Sequence, residues 1–236
     1  MKKIIFLIIF IILLGGIFWG VFESDFFKIK EIEVIPEGII DKELILKEIR
    51  QKRIYGIFPL DNIFLVKEKY LKLLLAEIKK IEFKKDFKNR ILKIYLKKRE
   101  EVLVWCQKDK KCFSVDEEGI AFRESSFIEG LNLIYVFDDF ERKISLSEKV
   151  ASSQLVETIR KIYQAFKDKV KIDYFIYPEE KLYEIHLKTK EGVIFLFNLK
   201  EDISREIEAL KRLIEEKKIK AKEYFDLRSL PRVYYK

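Results

Sequence analysis

The chain has one histidine, His186, and two cysteines in 236 residues. A single imidazole cannot supply a two-histidine zinc site, and a Ser-His-Asp triad would have to be built on His186 alone. No Gly-x-Ser-x-Gly, Walker-A or Rossmann glycine pattern accompanies it. His186 lies in Tyr183–Leu187, where Tyr183, Ile185 and Leu187 share one face of a strand. It falls on the other face with Glu184 and Lys188, as a solvated strand residue does. The carboxylate pairs Asp138-Asp139 and Glu179-Glu180 read as turn residues, held there by solvation rather than by glycosidase chemistry. We therefore expect no catalytic, cofactor or metal residues and no small-molecule substrate. Proline (4) and glycine (8) are scarce, so no stretch looks like a disordered linker.

Long apolar runs are equally scarce, with one exception at the start. Behind Lys2 and Lys3, residues 4–22 read IIFLIIFIILLGGIFWGVF, without a charge. At ~1.5 Å rise per residue such a helix reaches ~28 Å, close to a bilayer's hydrocarbon thickness. A cleaved leader has a shorter apolar region and small residues at its exit. Here the exit is Trp19-Gly-Val-Phe-Glu-Ser-Asp-Phe26. The expectation is an uncleaved anchor, with residues 1–3 a cytoplasmic tail and the rest outside the cytoplasm. The formal charge of +8 is spread through mixed Lys-Glu runs, as on a solvated surface. Nucleic acid is not an expected partner, because that charge would lie on the wrong side of the membrane.

After the run, Phe27–Pro36 alternates as a half-buried strand through Ile32 and Val34. Asp41 would cap a helix to about Lys52, with Leu44, Ile45 and Ile49 on its apolar stripe. Leu71, Leu74, Leu75 and Ile78 predict a second helix over 66–79. Strands over 81–87 and 91–98 follow, with Asp86–Arg90 as the turn. The second half opens on a hairpin around Trp105 with a five-residue loop from Cys106 to Cys112. Its two sulfurs would face each other across the strands, and an oxidising compartment would allow a disulfide. Asp116–Gly119 forms a turn and 131–137 a buried strand. Ser145-Leu-Ser-Glu148 has capping-box spacing and would open a helix striped by Leu155, Ile159, Ile162, Tyr163 and Phe166. Three strands, a helix over 202–217 and a closing strand pair complete the pattern. The fold class expected is α+β: an N-terminal transmembrane helix, a βααββ domain, then an antiparallel-sheet β domain with helices on one side.

This arrangement resembles the bacterial cell-division family FtsQ/DivIB, over nearly the whole chain. Ile32-Glu-Val34 is similar to the family's opening strand, and Ile91–Val102 to its "TLxIxVxERxPVA" segment. Ser114-Val-Asp116-Glu-Glu-Gly119-Ile-Ala-Phe122 resembles its "LVDxxGxxF", and Asp226-Leu227-Arg228 its "DLR". The family's proline before the "TLxI" strand is absent, and Glu101 and Ser229 stand at two further departures. The resemblance implies an anchor at 4–22, a POTRA domain at 26–99 and a β domain at 100–236 with C-terminal partner-binding strands. It implies a non-catalytic, membrane-embedded scaffold in the inner membrane, single-pass, at the division septum. Its implied partners are small bitopic coiled-coil proteins of the FtsB/DivIC and FtsL types and, through them, the septal peptidoglycan synthase complex. Strand addition at the C-terminal edge is the physical route expected, with Phe225, Arg228, Tyr234 and Tyr235 as anchors. The alternative is a POTRA-containing component of exported-protein transport or assembly.

Overall fold

The computed structural model describes all residues except 1, 23–24, 37–41, 52, 55–57, 60, 69–75, 129–132, 180–182, 201 and 217–222. The chain is α+β and divides into two units, Met1–Lys98 and Arg99–Lys236.

Unit 1 begins with α1, Lys2–Phe22. Its described large side chains from Ile4 to Phe18 are exposed, Phe6 at 74%. The expected crossing is corrected here, and with it the single-pass inner-membrane placement. Among the described residues no helix is long and apolar enough to cross a membrane.

A small sheet follows, in the order β1–β5–β4. β1 is Glu31–Ile35, β4 Ile78–Asp86 and β5 Ile91–Lys98. β1 runs parallel to β5, and β4 antiparallel to it. Alternation puts Ile32 and Val34 of β1, Ile81 of β4, and Leu92, Ile94 and Leu96 of β5 on one buried face. α2, Lys42–Gln51, adds Ile45 and Ile49 to that core. Asp41 lies outside the described residues, as does the Leu44 side chain. β2 (Arg53–Ile54) and β3 (Phe58–Pro59) form a short antiparallel pair. The middle of the second expected helix, with Leu71, Leu74 and Leu75, lies outside the described residues. Its end is corrected, because Ile78 and Lys79 open β4 instead.

Unit 2 is built on one sheet of order β14–β13–β12–β11–β10–β9–β6–β7–β8. Its strands are β6 Leu103–Cys106, β7 Cys112–Val115, β8 Ala121–Ser125, β9 Tyr135–Asp138, β10 Ile172–Tyr177, β11 Glu184–Thr189, β12 Ile194–Asn198, β13 Tyr224–Asp226 and β14 Tyr234–Tyr235. The sheet is mixed rather than antiparallel. β6 with β9, β9 with β10, and β12 with β13 run parallel. Two of those pairs are joined by helices, since parallel neighbours need a long crossover. α3, Ser153–Phe166, links β9 to β10, and α4, Ile203–Glu215, links β12 to β13. Each is capped by a side-chain oxygen: Ser152 accepts from the Leu155 N–H and Asp202 from the Ser204 N–H. The stripes Leu155, Ile159, Ile162, Phe166 and Leu210 enter the main core with Trp105, Phe175, Phe195, Phe197 and Phe225.

The expected helix start at Ser145 is corrected to Ser153. The capping-box contact forms, with the Ser145 N–H donating to the Glu148 carboxylate at 2.8 Å. The segment is instead drawn along β8: the Ser147 N–H donates to Ala121 O and the Ala121 N–H to Glu148 O. The expectation that Asp138 is a solvated turn residue is also corrected. It is 1% exposed, and its Oδ2 accepts from the Trp105 indole at 2.8 Å and from Arg142 Nη2 at 2.9 Å. A buried indole N–H needs an acceptor, and this carboxylate supplies it. The Asp116 carboxylate, 1% exposed, accepts from the Glu118 and Ile120 N–H groups and pairs with Arg99. Within that turn Gly119 has φ +80°, and a Cβ there would lie 2.0 Å from the Ala151 carbonyl oxygen. Gly119→Ala should therefore destabilise unit 2 by about 3 kcal/mol or more, measured by urea unfolding.

The structure joins Cys106 and Cys112, which face each other across β6 and β7 with Cα atoms 4.0 Å apart. Closing so short a loop removes about 2 kcal/mol of unfolded-state entropy. Urea unfolding with and without a thiol reductant should differ by about that amount, and the difference should vanish in Cys106→Ser.

Candidate partner-binding edge

The C-terminal edge is assembled by the crossover through α4. It lays β13 parallel to β12, with Phe195 beside Phe225 and Leu196 beside Asp226. A turn closed by the Arg232 N–H donating to Ser229 O then reverses the chain into β14. β14 pairs antiparallel with β13, Phe225 opposite Tyr235 and Asp226 opposite Tyr234. The Lys236 N–H donates to Tyr224 O at 3.2 Å and its C=O accepts from the Glu223 N–H at 2.9 Å, so residue 236 bonds toward β13. Antiparallel ladders alternate, so 225/235 is a non-bonded pair, and the Tyr235 N–H and C=O point away from β13 toward the free side.

The four residues expected as anchors lie together but differ in exposure. Tyr234 and Tyr235 are 51% and 65% exposed, while Phe225 is 1% exposed. Phe225 stands behind the edge as core packing. Its ring lies 5.6 Å from Phe195 and 5.8 Å from Tyr235, so a file of three rings leads from the core to the surface.

Arg228 lies on the opposite face of the sheet and is engaged within the chain. Its Nε donates to Asp226 Oδ1 at 2.8 Å, its Nη2 to Asp226 Oδ2 at 2.6 Å and its Nη1 to Glu184 Oε1 at 2.5 Å. The hydrogen bonds it donates, to Asp226 first and then to Glu184, raise its pKa against the opposing effect of burial. Since Glu184 is on β11 and Asp226 on β13, the guanidinium braces two strands across β12. The second oxygen of Glu184 lies 3.2 Å from His186 Nε2. His186 and Glu184 share the polar face that their alternation in sequence implies.

Sequence reasoning missed Glu184 as part of this brace. Pairing between residues 44 positions apart leaves no local spacing signal. It also missed Asp138, for which the signal was a tryptophan in a buried strand with no acceptor named. Arg99 and Asp116 each stood in a segment that carries the family resemblance, yet their contact was not anticipated.

The sheet's other edge, β8, is occupied along its start by residues 147–149, through the Ala121 bonds and a bridge between Ile120 and Lys149. In unit 1, the outer flank of β4 is met by Glu68, which accepts from the Phe83 N–H at 3.2 Å, and by Phe64 O, which accepts from Lys85 Nζ at 3.3 Å. Against known proteins, no family model matches the chain and no curated protein matches it.

Arg228→Glu would set a third carboxylate beside Asp226 and Glu184 and should lower the stability of unit 2 by about 2 kcal/mol or more. Arg228→Lys should lose less. Chemical unfolding of the two variants side by side checks this.

Proposed function

We propose that this chain is a non-catalytic scaffold of the bacterial division machinery, of the FtsQ/DivIB kind. In this reading it takes an extended segment of an FtsB/DivIC-type partner onto β14 and acts, with an FtsL-type protein, on septal peptidoglycan synthesis. The observation that carries the reading is the state of the C-terminal edge. β14 ends the sheet with an outward N–H and C=O at Tyr235 and two exposed aromatic rings, whereas β8 is partly paired by its own chain. An unpaired edge is a template for an incoming strand: main-chain hydrogen bonds supply affinity, and alternate side chains supply specificity. Tyrosines at such an edge offer large contact area at low entropic cost. The element order of unit 1, with β1 parallel to β5 and β4 outside, suits the POTRA-like half of the family resemblance.

The test separates backbone pairing from side-chain contact. Tyr235→Pro removes a donor that no ladder bond among the described residues uses, so the free protein should unfold within ~0.5 kcal/mol of Tyr235→Ala. Binding of the partner's extended segment, measured by calorimetry, should be lost in Tyr235→Pro and only weakened in Tyr235→Ala. Equal binding by the two variants would remove strand addition at β14.

A further inference from the structure

We infer that the segment received by β14 carries a carboxylate opposite Tyr234, between two apolar residues. This rests on the strand-addition reading above and specifies the chemistry of its partner. Alternation gives the edge two unlike faces. On the core face stand Tyr235, stacked on Phe225, and Val233, half-buried and packed against the main core. An apolar residue opposite each would lengthen the file of rings that begins at Phe195.

On the other face stand Arg232, Tyr234 and Lys236, two cations flanking one phenol. The carboxylates nearby already have cationic partners. Asp226 and Glu184 are held by Arg228, and Glu223 by Lys236 at 2.9 Å. Arg232 is exposed and makes no ion pair among the described residues. The Lys236–Glu223 pair is open to solvent, with side chains 68% and 56% exposed, so it exchanges readily with a competing carboxylate. A residue opposite Tyr234 on an added strand is diagonal to both Arg232 and Lys236. Such diagonal neighbours lie about 7–8 Å apart, within reach of long side chains. A carboxylate there meets two cations, and an ammonium meets their repulsion. The alternating apolar–acidic–apolar pattern also matches a chain with formal charge +8.

The experiment uses three nine-residue peptides that differ only at the centre, Val-Glu-Val, Val-Gln-Val and Val-Lys-Val. Each is titrated into the 15N-labelled full chain while the Tyr234 and Tyr235 amides are followed. Affinity should fall in the order Glu, Gln, Lys, with roughly tenfold between the ends, and the spread should narrow as salt rises. Arg232→Glu, a change at an exposed turn position, should invert the order. Equal affinity for the three peptides, or no inversion in Arg232→Glu, overturns the acidic preference and leaves strand addition standing. If no peptide moves the Tyr234 and Tyr235 amides, strand addition and this inference fall together.

Discussion

A β-sheet that does not close on itself has two edges, and each presents backbone donors and acceptors that something must satisfy. Unit 2 treats its edges differently. At β8, residues 147–149 are laid alongside the strand at the cost of starting α3 several residues after the Ser145 capping box. At β14, two exposed tyrosines end the sheet, with ladder bonds made only toward β13 among the described residues. The functional reading depends on this asymmetry, because an edge already filled by its own chain has nothing to offer a partner.

The remainder of unit 2 holds that edge in place. Parallel pairing of β12 with β13 requires the α4 crossover and buries Phe225 and Leu227 in the main core. The Arg228 brace fixes β13 from the other face, and the Phe195–Phe225–Tyr235 file ties β14 to the interior. At the opposite half, the buried carboxylate of Asp138 gathers Trp105 and Arg142 in one polar node. Partners removed singly from such a node leave a buried charge uncompensated, so they act as a unit.

Much of this was legible in the sequence, for a physical reason: alternation and helical spacing record which side chains face a core. β5 was read to its boundaries from Leu92, Ile94 and Leu96, and the stripe from Leu155 to Phe166 was read as a buried helix face. What failed depends on contacts distant in sequence. Capping-box spacing at Ser145 was satisfied locally yet overruled by pairing with β8. The sheet was read as antiparallel because strand direction lies in the crossovers, not in any strand's composition. Phe225 and Arg228 look alike as interface anchors in sequence. Only the fold separates a ring buried at 1% exposure from a guanidinium shared by two carboxylates. The apolar run at 4–22 was legible as a helix, but no helix among the described residues is long and apolar enough to cross a membrane.

Amide hydrogen exchange at Tyr235, in the free chain and in complex with the partner segment, tests the central claim most directly. The account predicts fast exchange in the free chain, because this N–H points away from β13, and strong protection in the complex. Slow exchange at Tyr235 in the free chain, or fast exchange that persists while partner binding protects amides elsewhere, would contradict it.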